Sequence, residues 1–161
     1  AVGLFGIILG LKAIYPNKYY DIIQIESSKR NVDINLIRAV IWTESKYDRL
    51  ACSRVGAKGV MQLMPSTAQW LAKRQGLVDY DLYNAKDNIV LGVSYLNYLI
   101  EIYDDTLVAL AAYNAGPGNV NSWLIDERYG KDGRLYCIPY LETSKYVQKV
   151  FNTSKVYSWL Y

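Results

Sequence analysis

Glu44 and Ser45 close an apolar stretch, and soon after them comes the run Gly56, Ala57, Lys58, Gly59, Val60, Met61, Gln62, Leu63, Met64, Pro65. A single glutamate facing a loop that two glycines allow to turn tightly is well placed for acid chemistry. The chain contains no histidine. That removes Ser-His-Asp and Cys-His nucleophile systems and any zinc site built on imidazole, and leaves proton transfer to carboxylates, tyrosines and lysines.

The spacing around Glu44 places it. Asp33 can cap a helix in which Ile34, Ile37, Ile41 and Glu44 recur every three or four residues, so the glutamate shares the inward stripe of the isoleucines. A carboxyl on an apolar face loses hydration in its charged form, and the carboxyl end of a helix adds negative potential. Both raise its pKa, so Glu44 is expected to hold a proton near neutrality.

The elements needed to hold this residue read as helical almost throughout, with no sustained period-two alternation, repeat or low-complexity segment. The pattern predicts a helix over Tyr19 to Arg30, the Glu44 helix, one from Pro65 to a stop at Gly76, and one capped by Asp87. A small-residue helix follows that halts and restarts at Gly116-Pro117, then a long one after Pro139 to Tyr161 with Glu142 and Tyr146 on one face. At 161 residues, 52% hydrophobic and 20% charged, the chain is expected to form one globular unit.

Sixteen tyrosines and four tryptophans stand against two phenylalanines. Such aromatic surface also hydrogen-bonds, which suits the apolar faces and hydroxyl edges of sugar rings. The net charge of +3 is scattered, so no nucleic-acid stripe is visible, although a polyanionic cell-wall surface would attract it weakly. Cys52 and Cys137 lack metal-ligand spacing. They are read either as two buried thiols or, in an exported protein, as a bridge.

Residues 1–15 begin with AVGLFGIILGLKAI, apolar apart from Lys12 and ended by the helix-breaking Pro16. The run is short of the roughly 20 residues that span a bilayer. It is read as the remnant of a signal or membrane-anchor segment, with a first core helix as the alternative.

Five ordered motifs across residues 16–157 then carry a resemblance: E-S-x-Y-D at Glu44, A-x-S-x-x-G-A-x-G-V-M-Q-L-M-P-S-T-A from Ala51, N-I-x-L-G-x-x-Y-L from Asn88, A-L-A-A-Y-N-A-G-P-G-N-V from Ala109 and I-P-Y-x-E-T-x-x-Y-V from Ile138. Together they resemble the catalytic domain of soluble lytic transglycosylases, family 23 of the glycoside hydrolases. The resemblance implies a mostly all-α, lysozyme-like single domain over residues 16–161 with a catalytic cleft. It implies cleavage of the β-1,4 bond between N-acetylmuramic acid (MurNAc) and N-acetylglucosamine (GlcNAc) in peptidoglycan strands, leaving 1,6-anhydro-MurNAc ends. Glu44 would be the catalytic residue, acid first and base second, with no cofactor and no metal. Ser53, Gln62, Met64, Tyr113, Asn114, Glu142 and Tyr146 would line the sugar-binding groove.

The resemblance also implies an exported monomer acting in the cell envelope, and it brings both cysteines near one cleft, where a bridge stays open. Two departures stand out: Ser144 occupies a position where the family usually has arginine, and Val60 one where it usually has leucine. Two other readings remain. A goose-type lysozyme would hydrolyse the same bond with a second acid that the sequence does not single out, and a wall-binding module would keep the groove without turnover.

Overall fold

The computed structural model describes residues 2–161. Ala1, the head of the expected amino-terminal segment, lies outside the described residues. The described residues form eight helices and one small hairpin: α1 Val2–Ile14, α2 Tyr20–Arg30, α3 Ile34–Ser45, α4 Pro65–Gln75, α5 Ala85–Tyr103, α6 Thr106–Ala115, α7 Pro117–Ile125, β1 Gly130–Lys131, β2 Arg134–Leu135 and α8 Leu141–Leu160. The antiparallel β1–β2 hairpin is too short for an alternating pattern to reveal it.

Local chemistry sets most boundaries. Asp33 caps α3, its Oδ1 accepting from the N–H groups of Asn35 and Leu36, both at 2.8 Å. Gly76 closes α4 in the left-handed region, at φ 67°. The cap of α5 differs from expectation. Asn84, not Asp87, accepts from the N–H groups of Lys86 and Asp87, which leaves Asp87 within the first turn, where the helix dipole favours its charge.

The helix that carries Glu44, α3, lies along α8, while α5 packs on α2 and α6. Ile37, Ile41, Leu96, Leu99, Leu110 and Val150 form the middle of the main core, and Leu63, Ala68, Leu71 and Leu91 form a smaller one under α4. Tyr95 and Tyr113 pack against both clusters, with ring centroids 5.3 Å apart. They mark the seam between the two cores.

α1 is a helix, and none of its residues from Gly6 to Ile14 is buried. Among the described residues no helix is long and apolar enough to cross a membrane. Both cysteines are exposed free thiols rather than buried ones, and no disulfide joins them.

Candidate active site

Glu44 sits in the last turn of α3, half-buried. Burial raises its carboxyl to a pKa of about 7, opposed by the Tyr146 hydroxyl and by the charge of Lys149. Tyr146 is itself buried, and its hydroxyl approaches Glu44 without closing a hydrogen bond of good geometry. Burial and then the Glu44 charge push both the Tyr146 and the Tyr113 hydroxyls well above the ordinary phenol range, so both are proton donors at any working pH.

The chain leaves α3 through two successive left-handed residues, Lys46 (φ 53°) and Tyr47 (φ 67°). Such conformations hold only where the surroundings enforce them. Ser45 supplies one restraint, its hydroxyl donating to the Val60 carbonyl at 2.8 Å and so joining the acid's helix to the glycine loop.

That loop is fixed from within. Buried Asn88 of α5 accepts from the Met61 N–H at 2.8 Å and donates to the carbonyls of Lys58 (2.9 Å) and Leu82 (3.0 Å). All of its principal hydrogen-bonding capacity is spent on the loop and its neighbour. Gly59 passes at φ 77° so close to Leu82 and Asn88 that any Cβ would collide with them.

Gln62 is also left-handed, at φ 50°. Its amide nitrogen donates to the carbonyls of Ala51 (3.1 Å) and Gly59 (2.9 Å), which leaves its side-chain oxygen as the group able to meet a ligand. Tyr113 closes the opposite wall, its hydroxyl donating to the Met61 carbonyl at 2.9 Å.

Gln62, Met64, Tyr113 and Asn114 line one hollow of about 310 Å³, with Thr67 and Tyr95. Met64 is 38% exposed there, an apolar wall beside polar groups. Four of the eight expected residues therefore line the same hollow; Tyr146 acts on the Glu44 carboxyl, and the Glu44 charge acts on Tyr113.

The remaining two lie elsewhere. Ser53 accepts from the Ala57 N–H at 3.0 Å, holding the loop rather than lining the hollow. Glu142 is exposed in the first turn of α8, and despite the spacing of four it does not share the buried face of Tyr146. The residue that turns inward there is Thr143, whose hydroxyl donates to Asn114 Oδ1 at 2.8 Å. Asn88, Ser45, Tyr95, Thr143 and Lys149 were not singled out by sequence. Ser45, Asn88, Tyr95 and Thr143 carried a signal as members of the quoted motifs, whereas Lys149 carried none.

Tyr113→Phe is expected to cost about 1 kcal/mol of stability, the usual net worth of a hydrogen bond. It should also lower turnover by loosening Met61 and Gln62. Thermal unfolding and activity measured on the same preparation check both effects. Unchanged turnover would leave the Tyr113 hydroxyl a purely structural donor.

Chemically, a carboxyl poised near pH 7 beside the Tyr146 hydroxyl and a polar, aromatic hollow can protonate a leaving oxygen and take a proton back. Asp48, the nearest acid in sequence, is exposed and accepts from the Leu50 N–H at 2.9 Å.

The sequence matches the transglycosylase SLT domain family over residues 21–136. It is 33% identical over 147 residues to the soluble lytic murein transglycosylase of Salmonella typhimurium, covering 87% of this chain and 23% of that protein. It is 34% identical over 104 residues to the transglycosylase of Enterobacteria phage PRD1, covering 65% of this chain and 37% of that protein. Among solved structures, an inactive mutant of lytic transglycosylase Slt from Pseudomonas aeruginosa superposes with a TM-score of 0.83 at 34% identity, over 92% of this chain and 25% of that one. The 70-kDa soluble lytic transglycosylase of Escherichia coli gives 0.82 at 31%, over the same shares. The chain spans about a quarter of the length of the Salmonella, Haemophilus and Escherichia relatives.

Proposed function

The chain belongs to the transglycosylase SLT domain family and has its lysozyme-like, mostly helical fold, and from that premise we propose that it is a peptidoglycan lytic transglycosylase. It cleaves the β-1,4 bond between MurNAc and GlcNAc without adding water. Glu44 gives its proton to the departing glycosidic oxygen while the substrate's own N-acetyl oxygen shields the positive charge left on the sugar carbon. The Glu44 carboxylate then takes the proton of the MurNAc C6 hydroxyl as that oxygen bonds to C1, closing the 1,6-anhydro ring and restoring the acid.

The observation that carries this reading is the state of Glu44. Its pKa of about 7 lets it serve in both forms, and Asp48, the nearest acid in sequence, is exposed and accepts from the Leu50 N–H rather than facing it as a second catalytic carboxylate. An ordinary glycosidase needs two. The hollow of Gln62, Met64, Tyr113 and Asn114 would hold the sugar and its acetamido group. Tyr146 would orient the acid, Ser53 would keep the loop shaped, and Glu142 would reach the strand from the rim.

Every group this reaction uses comes from one chain, so a monomer suffices. Action on peptidoglycan carries export to the cell envelope, with α1 as part of a membrane-anchoring segment.

Mass analysis of digested peptidoglycan tests the reaction. Anhydro ends, lighter than reducing ends by the elements of water, should dominate the products. Reducing ends in their place would make the protein a goose-type hydrolase, and binding without products would make it a wall-binding module.

A further inference from the structure

Three consecutive carbonyls at the exit of α1 are each captured by an aromatic side chain of the catalytic domain. The Trp42 indole N–H donates to the Ile14 carbonyl at 2.8 Å, the Tyr161 hydroxyl to that of Tyr15 at 3.0 Å, and the Tyr157 hydroxyl to that of Pro16 at 3.1 Å. Carbonyls at the end of a helix have no partner within it, and here all three are satisfied by groups from α3 and from the end of α8. The Tyr15 N–H still bonds to the Leu11 carbonyl at 2.8 Å, so the helical bonding runs unbroken up to the clamp.

Ring contacts reinforce it. Tyr15 stacks on Trp42 with centroids 4.8 Å apart and meets Tyr157 edge-on at 5.9 Å. Trp42 is two residues before Glu44 on the same helix, so α1 is joined to the element that carries the acid. A chain that merely tethered the domain would be solvated and would need none of these bonds.

The same end of the molecule has the composition of a membrane interface. Ile7 of α1 is 60% exposed, and Leu9 and Ile14 are exposed beside it. Next to them Lys12 lies 4.8 Å over Tyr161, and behind that ring the buried Arg38 lies 5.4 Å from Tyr161 and 5.5 Å from Tyr20, so Lys12 is the cation on this surface. Trp159, 60% exposed, borders a hollow with Lys155. Of the acids in this region, Asp33 is engaged in capping α3 and Asp21 is exposed. Tryptophan, tyrosine and lysine beside an apolar helix suit the headgroup layer, where rings lie half in lipid and ammonium groups meet anionic phosphates.

We propose that this face seats on an anionic bilayer with α1 locked to α3 by the Trp42, Tyr157 and Tyr161 clamp, so that the cleft is held at a fixed orientation to the membrane. The proposal rests on reading α1 as an anchoring segment and is independent of the reaction at Glu44. Its consequence is geometric: the enzyme reaches glycan strands at a set height and angle.

The test uses the full chain with Cys52 and Cys137 changed to serine and spin labels at Leu9→Cys and Ile125→Cys. Bound to phosphatidylglycerol vesicles, it should give one narrow distance distribution. In a variant carrying Trp42→Phe, Tyr157→Phe and Tyr161→Phe the distribution should broaden about twofold or more, as a flexible linker would dictate. Trp42→Phe alone deletes one donor while keeping a ring against Tyr15, and should give a smaller broadening if the triple variant fails to fold. A broad distribution in the parent chain, or no broadening in either variant, would overturn the clamp. Seating is read separately from quenching by brominated lipid, which should fall when Trp159→Phe is introduced. Absence of quenching, or equal binding to uncharged vesicles, would overturn the choice of an anionic bilayer. Neither readout requires turnover, so failure of the transglycosylase reading would leave both interpretable.

Discussion

Glu44→Gln is expected to lower the rate of peptidoglycan lysis by about a thousandfold while leaving strand binding intact, within the range of loss typical of general acids and bases. The effect should lie toward the upper part of that range because one residue is asked for two proton transfers. Glutamine keeps the shape and the neighbours Tyr146 and Lys149 but can neither give nor accept the proton. Turbidity loss of purified sacculi measures lysis, and co-sedimentation with them measures binding. Unchanged lysis would remove Glu44 from its role.

The pH dependence follows from the same residue. The first step needs the protonated acid, and with a pKa of about 7 that form is lost as pH rises through neutrality. The rate with saturating and with dilute substrate should therefore fall on the alkaline side. Stability runs in the same direction. The folded-state pKa lies above the ordinary glutamate value of 4.5, so the native protein binds more protons than the unfolded chain between those values. The stabilising contribution is fully present below pH 4.5 and is lost as pH rises through 7. At pH 8 Glu44→Gln should then unfold at a higher temperature than the parent chain, a gain at the expense of activity. A lower unfolding temperature there would mean that burial does not strain the carboxylate.

The helices were largely legible because their signals are local. The stripe of Ile34, Ile37, Ile41 and Glu44, the Asp33 cap, and the stops at Gly76 and Gly116-Pro117 are each decided within a few residues. The Asp87 cap failed by three residues because both Asn84 and Asp87 are competent caps, and it is the Asn84 side chain that accepts from the Lys86 and Asp87 N–H groups. The hairpin at Gly130–Leu135 is too short to show a period.

The site was legible in part for the same reason. Glu44 could be placed by periodicity, and its raised pKa followed from where the stripe faces. The partition between residues that line the hollow and residues that hold the loop could not be read, because it depends on contacts across long stretches of chain. Ser53 and Gln62 look alike as polar loop residues, yet the Ser53 hydroxyl is turned back on its own loop while Gln62 keeps its oxygen free. Glu142 and Tyr146 are four apart, a rotation of about 40° beyond one full turn, enough at a helix edge to separate an exposed carboxylate from a buried ring.

Asn88→Ala should have the largest effect on stability of any single change outside the hydrophobic core, about 3 kcal/mol. The substitution strips the partner from the Met61 N–H and from the Lys58 and Leu82 carbonyls, and a buried group left unpaired costs roughly 1–3 kcal/mol, part of which water recovers by entering the space. The loss should reach the site. Met61 carries the carbonyl that Tyr113 holds, and the adjacent Gln62 is kept left-handed by the same loop, so turnover by the still-folded fraction should also fall. Gly59→Ala provides an independent route to the same loop, since its Cβ would strike Leu82 and Asn88 at a backbone angle that only glycine adopts freely. Because the two positions touch, their costs should fall short of additive in the double variant. Chemical denaturation of the four proteins measures the coupling. Full additivity would mean that Asn88 and Gly59 stabilise the fold separately, and that the loop bearing Gln62 is held by something other than their contact.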